Sequence, residues 1–251
     1  MMTAVVQCDI AWNDRDANFA HLGPRIMDAR ARGAELVVLP EMFSTGFVMD
    51  TSVAEDIDGP SSRFLTRMAS ETGAWVCGSC PEREPGDPRP YNSLVVCSPD
   101  GGIHRYRKMH PFTYGGEHEV FRAGDHPLTV RIGDLNVSFF VCYDLRFADE
   151  FWRLATGTDV YVVPANWPEA RIAHWDVLTR ARAIENQAWL VGCNRIGTGG
   201  GLRYSGHSQV IDPLGTVAAD AGGDSRTVLV DVTKDAVDRS RSRYPFLRDR
   251  R

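Results

Sequence analysis

Lysine is almost absent from this sequence, and long hydrophobic runs are missing altogether. The 28 basic residues comprise 26 arginines and two lysines, Lys108 and Lys234. No apolar stretch approaches the roughly 18 residues that cross a bilayer, and a net charge of −5 gives no reason to expect nucleic acid as a partner. The opening segment MMTAVVQCDIAW lacks the features of a signal peptide, so we expect a cytoplasmic protein.

The cysteines give little reason to expect disulfides or a metal site. They are Cys8, Cys77, Cys80, Cys97, Cys142 and Cys193. In a chain of this size without an export signal, reduced thiols are the default. Cys77 and Cys80 form a C-x-x-C pair, which can be half of a zinc or redox site. No second cysteine or histidine pair supplies the missing ligands, so we predict no metal.

Apolar strand-like runs alternate with helix-like stretches along the 251 residues. The predicted strands are TAVVQCDI, ELVVLP, AWVCGSC, SLVVCS, IHRYRK, LTVRI, LNVSFFV, DVYVVP, AWLVGCNRI, SQVIDP and TVLVDV. The predicted helices are about 16–32 (disturbed by Gly23-Pro24), a helix capped by Ser61 and Ser62 that runs to about Thr72, ADEFWRLAT, and about 169–186, the longest. No linker or repeat divides the chain, so we expect one domain over 1–251, built of layered sheets covered by helices. Within it, about 236–251 form a C-terminal arm, which either packs on a partner subunit or is a loose basic tail.

Three segments each place a reactive side chain just past an apolar strand. Glu41 follows ELVVLP, Lys108 follows IHRYR, and Cys142 follows LNVSFFV. Loops at strand ends are exposed yet held by a rigid sheet, and ligand sites form there in open α/β folds. Taken singly, each residue has an ordinary alternative: a solvated glutamate, a surface lysine in a hairpin, and a buried core cysteine.

Together these residue types supply the groups for attack on a carbonyl carbon. A carboxylate can act as a base near neutral pH, and a cysteine on a strand-to-helix turn is exposed as a nucleophile. The Lys108 ammonium can stabilise an oxyanion and lower the pKa of a nearby thiol. The backbone N–H of Tyr143, directly after Cys142, is placed to bind the same oxyanion.

LPEMF around Glu41, RKMHPF around Lys108 and CYDLRF around Cys142 together resemble motifs of the nitrilase superfamily of carbon–nitrogen hydrolases. The downstream segments NWPEARIAHWDVLTRARAIENQ, GCNRIG and YSGHSQVIDPLG also look like this family. The resemblance covers nearly the whole chain, with its motifs in the expected order.

The resemblance implies an α/β fold, the four-layer α-β-β-α sandwich of that superfamily. Subunits of the family usually pair, so we expect a homodimer. The implied catalytic residues are Glu41, Lys108 and Cys142, with no metal or organic cofactor. Family members also carry a second active-site glutamate after the lysine. Glu117 in GGEHEVF matches it best and Glu119 competes; for both, the alternative is an exposed acidic loop.

The residues around the nucleophile look like the amidase branches. True nitrilases typically follow the cysteine with Trp-Glu, whereas Tyr143-Asp144 follow Cys142 here. With STGF after Glu41 and the NWPEAR…HW…ARAIENQ stretch, the sequence most resembles omega-amidases, which deamidate 2-oxoglutaramate and 2-oxosuccinamate. The implied partner is therefore a small amide, not a nucleic acid or a membrane.

Such substrates carry a carboxylate, which an arginine can bind through two hydrogen bonds. Arg171 is the candidate, and an exposed residue at a helix start is its alternative. The candidates for the pocket wall are Phe43, Phe112, Asn166 and Trp167. The aromatic ones have the alternative of core or dimer packing. Asp144 and Arg146 are expected to brace the nucleophile turn or a dimer contact.

Two other functions fit the same motifs. The first is a different aliphatic amidase or an N-carbamoyl amide hydrolase, which a substrate panel separates from an omega-amidase. The second is an inactive binding protein on the same fold. An inactive relative is expected to have lost one of Glu41, Lys108 and Cys142, and all three are present.

Overall fold

A computed structural model describes residues 1–86 and 88–250, in which two large β-sheets carry helices on their outer faces. The first sheet consists of β1 (Met2–Gln7), β2 (Leu36–Val38), β3 (Glu55–Asp56), β4 (Trp75–Arg83), β5 (Tyr91–Cys97), β6 (Ile103–Arg107) and β15 (Arg226–Asp231). Its order is β15-β1-β2-β4-β5-β6, with β3 beside β4.

The second sheet consists of β7 (Leu128–Ile132), β8 (Leu135–Phe139), β9 (Val160–Ala165), β10 (Trp189–Asn194), β13 (Gln209–Ile211) and β14 (Val217–Asp220). Its order is β14-β13-β10-β9-β8-β7. A separate antiparallel hairpin pairs β11 (Ile196–Gly199) with β12 (Leu202–Ser205). This hairpin lies outside both large sheets.

Helices cover both sheets. They are α1 (Arg15–Ala31), α2 (Pro60–Thr72), α3 (Glu117–Val120), α4 (Ala148–Leu154), α5 (Ile172–Asn186) and α6 (Lys234–Arg243). The first two pack on the first sheet, and α4 and α5 pack on the second. The layers therefore run helix, sheet, sheet, helix, which confirms the predicted α-β-β-α sandwich.

Alternation along β1 shows how the sequence builds these layers. Ala4 and Val6 belong to the apolar cluster under α1, together with Leu22 and Ile26. Val5, between them, belongs to the other cluster, which lies between the two sheets. Successive side chains of a strand point to opposite faces, so a continuous apolar run is what a strand buried on both faces requires.

Parallel strands bring the candidate residues to one edge. β1, β2 and β4 are parallel in the first sheet, and β8, β9 and β10 are parallel in the second. Glu41 follows β2, Cys142 follows β8 and Asn166 follows β9. Lys108 follows β6, which forms a hairpin with β5. The site thus forms where the carboxyl ends of strands from both sheets meet.

Two helix predictions were wrong in detail. Ser61 and Ser62 do not cap α2, because Gly59 is the N-cap and Pro60 the first helical residue. The serine hydroxyls instead donate to the buried carboxylates of Glu55 and Glu82, at 2.7 and 2.5 Å. The longest helix is α1, with 17 residues against 15 in α5. It continues through Pro24, while 169–171 form a separate 3₁₀ turn before α5.

The C-x-x-C pair lies within β4 and cannot act as a chelate. Cys77 faces the cluster between the sheets, whereas Cys80 faces the helices. All six cysteines are buried and unpaired. Within the described residues, no three His, Cys, Asp or Glu side chains group as metal ligands do.

The C-terminal segment begins as a helix that packs on its own chain. In α6, Val237 and Ser240 are buried. Arg241 donates to the carbonyl oxygen of Thr158 at 2.5 Å, and Gln187 donates to that of Tyr244 at 2.6 Å.

Over 1–86 and 88–250, no helix has the length and apolar character needed to span a membrane.

Candidate active site

Glu41, Lys108 and Cys142 meet in a buried cluster between the sheets. Lys108 Nζ donates to Glu41 Oε1 at 2.9 Å, and both side chains are fully buried. The Cys142 thiol is also buried, close enough to Glu41 for the carboxylate charge to raise its pKa. The three residues come from the ends of three different strands, so only the folded chain brings them together.

Glu117 joins this cluster, and Glu119 does not. The Glu117 carboxylate is fully buried and accepts from Lys108 Nζ at 2.7 Å. It also accepts from the backbone N–H of Phe112 at 2.5 Å. Glu119 lies two residues later on the short helix α3 and is exposed. The geometry therefore brings Glu117, of the two candidates, beside Lys108.

Asn92 is a site residue that sequence reasoning missed. It lies on β5, 1% exposed, and its Nδ2 donates to Glu41 Oε1 at 2.8 Å and to Glu117 Oε1 at 3.0 Å. The hairpin register brings it to the lysine, since the Lys108 N–H donates to the Asn92 carbonyl at 3.0 Å. The only signal in the sequence is an amide at the start of a buried strand, next to a hairpin that leads to Lys108.

Asn166 holds Glu41 from the second sheet. Its backbone N–H donates to Glu41 Oε2 at 2.8 Å, and its side-chain Nδ2 donates to the Glu41 carbonyl oxygen at 2.6 Å. Asn166 thus ties the base, which follows β2 of the first sheet, to the end of β9 in the second.

Cys142 stands on a sharp turn with a strained backbone. Its φ is +48°, in the left-handed region that non-glycine residues rarely adopt. The 3₁₀ turn Cys142–Arg146 follows at once. At the start of such a turn the amide groups have no carbonyl partner inside it, and the Tyr143 N–H directly after Cys142 is one of them.

Asp144 braces this turn, as the sequence indicated. Its carboxylate is fully buried and accepts from the Val141 N–H at 2.9 Å and from the Tyr106 hydroxyl at 2.7 Å. The other oxygen accepts from the His110 N–H at 2.9 Å, with the His110 ring nitrogen at 3.0 Å. One carboxylate therefore joins β6, the loop after it and the nucleophile turn.

The electrostatics favour a protonated thiol beside a charged lysine. Burial raises the pKa of Cys142 well above its ordinary value, and the neighbouring Glu41 charge raises it further. Lys108 lowers the pKa of Cys142, as the sequence indicated, but does not overcome the other two effects. Burial alone lowers the pKa of Lys108, but Glu117 and Glu41 raise it above normal. Burial raises the pKa of Glu117.

A small pocket opens onto Cys142. Its walls are Phe47, Phe112, Cys142, Tyr143, Arg146, Asn166, Trp167, Pro168, Arg171, Leu202 and Tyr204. The structure thus brings Phe112, Asn166, Trp167 and Arg171 together, as the sequence predicted. The sequence did not indicate Phe47, Leu202 or Tyr204 as pocket residues. Phe47 reaches the pocket from the loop after Glu41, and Leu202 and Tyr204 reach it from the β11–β12 hairpin.

The placement of Phe43 in the pocket wall was wrong. Its side chain is fully buried under the helices, with ring centroids 6.2 Å from Phe19 and 6.0 Å from Phe64. The physical reason is space on the outer face of β4, where Gly78 leaves room for the ring: a Cβ there would lie 2.8 Å from Phe43 Cδ1. Phe43 therefore supports the backbone of the glutamate loop from behind.

Two arginines face the pocket. Arg171 lies over the Phe112 ring at 5.3 Å, and Arg146 lies over the Trp167 ring at 4.8 Å. Arg146 also contacts His174 Nδ1 at 3.1 Å. Within the described part of the chain, the Arg171 guanidinium forms no ion pair with an acidic side chain, so its charge remains available to an anionic ligand.

Comparison with known proteins agrees with this geometry. The family model of the carbon-nitrogen hydrolases matches residues 2–242. The omega-amidase YafV of Escherichia coli K12 is 33% identical over 98% of this chain and 94% of its own length. The 2-oxoglutaramate amidase of Paenarthrobacter nicotinovorans is 35% identical over 87% of this chain and 79% of its own.

Solved structures give the same result. XC1258 of Xanthomonas campestris, a CN-hydrolase superfamily protein with an arsenic adduct in its active site, is 32% identical and superposes with a TM-score of 0.94, covering 100% of this chain and 97% of that one. Nit3 of Saccharomyces cerevisiae, a member of the nitrilase superfamily, is 25% identical with a TM-score of 0.90, covering 98% and 94%. This chain belongs to the carbon-nitrogen hydrolase family of the nitrilase superfamily.

Proposed function

We propose that this protein hydrolyses the terminal amide of a small omega-amido keto acid, with Cys142 as nucleophile. The observation that carries the proposal is the buried Glu41–Lys108 ion pair beside the Cys142 thiol, where a pocket opens. A carboxylate touching a thiol supplies a base, and an adjacent ammonium supplies a fixed positive charge.

Acylation begins with proton transfer. Because the Cys142 pKa is raised, the thiolate is not present beforehand, and Glu41 accepts the proton as sulfur attacks the amide carbon. Lys108 and the Tyr143 N–H stabilise the oxyanion that forms. Losing one such donor typically costs on the order of 10²–10³ in rate.

Collapse of this intermediate releases ammonia. Glu41 returns its proton to the departing nitrogen, the C–N bond breaks, and a thioester to Cys142 remains. Glu41, with Glu117 on the other side of Lys108, then activates water to attack the thioester. The C–S bond breaks, the carboxylic acid leaves and the thiol regains its proton.

The pocket supports a short substrate that carries an anionic end. The pocket is small, which suits a short substrate. Arg171 has no acidic partner among the described residues and faces this space, so we assign it to the substrate carboxylate. Phe112 and Trp167 would form apolar walls along the carbon chain.

Relatives named omega-amidase and 2-oxoglutaramate amidase support the same substrate class. The test is ammonia release from 2-oxoglutaramate and succinamic acid by the wild-type protein and by Cys142→Ala. Release by the first alone supports the proposal, and equal release by both contradicts the nucleophile. Turnover of simple aliphatic amides or N-carbamoyl compounds, with none of the keto acid amide, would redirect the substrate assignment.

The protein is further proposed to act as a homodimer. On α5, the side chains of Val177 and Ile184 are 66% and 45% exposed, and Leu214 nearby in space is 54% exposed. Exposed apolar side chains on one face of a helix are typical of an interface. Light scattering after gel filtration should give the mass of two chains, and a single-chain mass would contradict it.

A cytoplasmic location is proposed on the state of the cysteines. All six are buried and unpaired, as expected in a reducing compartment. Subcellular fractionation with an antibody to the protein tests this directly. Recovery in the soluble intracellular fraction is expected, and recovery outside the cell would contradict the proposal.

A further inference from the structure

Asn92 links the two carboxylates of the site. Its Nδ2 carries two hydrogens; one goes to Glu41 Oε1 at 2.8 Å and the other to Glu117 Oε1 at 3.0 Å. Both hydrogens are thus committed inside a cluster that is closed to water. Its own Oδ1 is buried and has no hydrogen-bond partner within 1–86 and 88–250.

The effect on Glu41 is to distinguish its two oxygens. Oε1 accepts from both Lys108 Nζ and Asn92 Nδ2, whereas Oε2 accepts from the Asn166 N–H. A proton on Oε1 would meet the hydrogens of two donors, and one of these hydrogen bonds would have to break. Oε2 accepts one hydrogen bond and can still take up a proton, so the proton from the thiol is directed to Oε2.

The effect on Glu117 is to keep it ionised. Its Oε2 accepts from Lys108 and from the Phe112 N–H, and Asn92 is the donor to Oε1. Burial raises the pKa of Glu117, and the hydrogen bonds from Asn92 and Lys108 oppose that rise. Without Asn92, Oε1 is a buried acceptor with no donor, and the simplest way to satisfy it is to take up a proton.

The charge balance explains why an amide suits this position. One ammonium, Lys108, already lies between two carboxylates. A third acidic group would add negative charge to a buried cluster, and a second cation would make Glu41 a weaker acceptor of the thiol proton. A neutral side chain with two donors contacts both carboxylates without changing the net charge.

We propose that Asn92 is a positioning residue that keeps protons off the Oε1 atoms of Glu41 and Glu117, so that Glu41 Oε2 receives the proton of Cys142. This inference rests on the proposed roles of Cys142 and Glu41. Lys108 lies between the two carboxylates, and Arg146, Arg171 and Tyr204 line the pocket beside Cys142.

The test follows the rate of Cys142 alkylation by iodoacetamide against pH, with peptide mass spectrometry to identify the modified cysteine. No substrate is needed, so the result does not depend on which amide is hydrolysed. Asn92→Ala removes both donors, and Asn92→Asp keeps the shape while adding a carboxylate. In both variants the pKa of Glu41 should rise, because the hydrogen bond that favours its ionised form is lost. Glu41 must be ionised to accept the thiol proton, so the pH at which alkylation reaches half its maximal rate should rise by about one unit or more, which is roughly what a hydrogen bond to a charged group is worth.

The matched control is Ser93→Ala. Ser93 is the next residue on β5 and equally buried, and because successive side chains of a strand point to opposite faces, it faces away from the site. Its pH profile should equal that of the wild type. A wild-type profile in folded Asn92→Asp, checked by circular dichroism, would overturn the role of Asn92. Absence of pH-dependent Cys142 labelling in the wild type would instead contradict the proposed nucleophile.

Discussion

The carboxylate of Asp144 should be indispensable to the nucleophile turn, and Asp144→Asn tests this with the smallest possible change. Each oxygen of Asp144 accepts from two donors: the Val141 N–H and Tyr106 hydroxyl at one, the His110 N–H and ring nitrogen at the other. An asparagine offers only one oxygen. Whichever way its amide turns, its NH₂ group faces a backbone N–H.

The cost can be worked from these contacts. Two buried donors lose their acceptor, at about 1–3 kcal/mol each, so the free energy of unfolding should fall by about 2–6 kcal/mol. That is a large part of the roughly 5–15 kcal/mol that stabilises a typical domain. Activity should fall as well, because the strained φ of +48° at Cys142 depends on the bracing of the turn.

Urea unfolding, followed by circular dichroism, measures the stability change, and ammonia release measures the activity. Asp149→Asn is the matched control, since Asp149 is an exposed carboxylate on the adjoining helix α4. The control should unfold with the wild type. If Asp144→Asn also unfolds at the wild-type urea concentration, the bracing role is refuted.

Three further results are expected. Arg171→Gln should raise KM for succinamic acid by roughly 10–100-fold, which is the value of a lost bidentate ion pair, and should leave the hydrolysis of butanamide, which has no carboxylate, unchanged. Arg180→Gln, at an exposed arginine, is its control. An equal effect of Arg171→Gln on both substrates would contradict carboxylate binding. The hydrogen bond that the protonated His110 ring donates to the Asp144 carboxylate raises the pKa of His110, so the stability it contributes is present below about pH 6.5 and is lost as pH rises through the raised value. His110→Gln should lack this part of the pH dependence of urea unfolding, and an unchanged dependence would count against it. Lys108→Met should lower kcat by on the order of 10²–10³, and near-normal turnover would show that its ammonium does not stabilise the oxyanion.

The strands and the three reactive residues could be predicted because both depend on local patterns. Apolar runs such as ELVVLP give buried strands, and Glu41, Lys108 and Cys142 each follow such a run. The direction of a side chain beyond a strand end is not local. Phe43 turns to the helices because Gly78, on another strand, leaves space for its ring.

Residues that act through long-range contacts had no pattern to reveal them. Asn92 reaches both glutamates only because the β5–β6 hairpin sets it beside Lys108. Tyr204 reaches the pocket through the separate β11–β12 hairpin. The raised pKa of Cys142 was equally hidden, because it depends on the depth of burial that the two packed sheets create.

The most direct test of the central claim is to trap the acyl-enzyme. Wild-type protein is mixed with excess 2-oxoglutaramate, quenched in acid within the first turnovers, digested and analysed by mass spectrometry. The peptide that contains Cys142 should carry the mass of the substrate less ammonia, and treatment with hydroxylamine should remove it, as expected of a thioester. Steady ammonia release with no adduct on Cys142, or an adduct on another residue, would contradict the account.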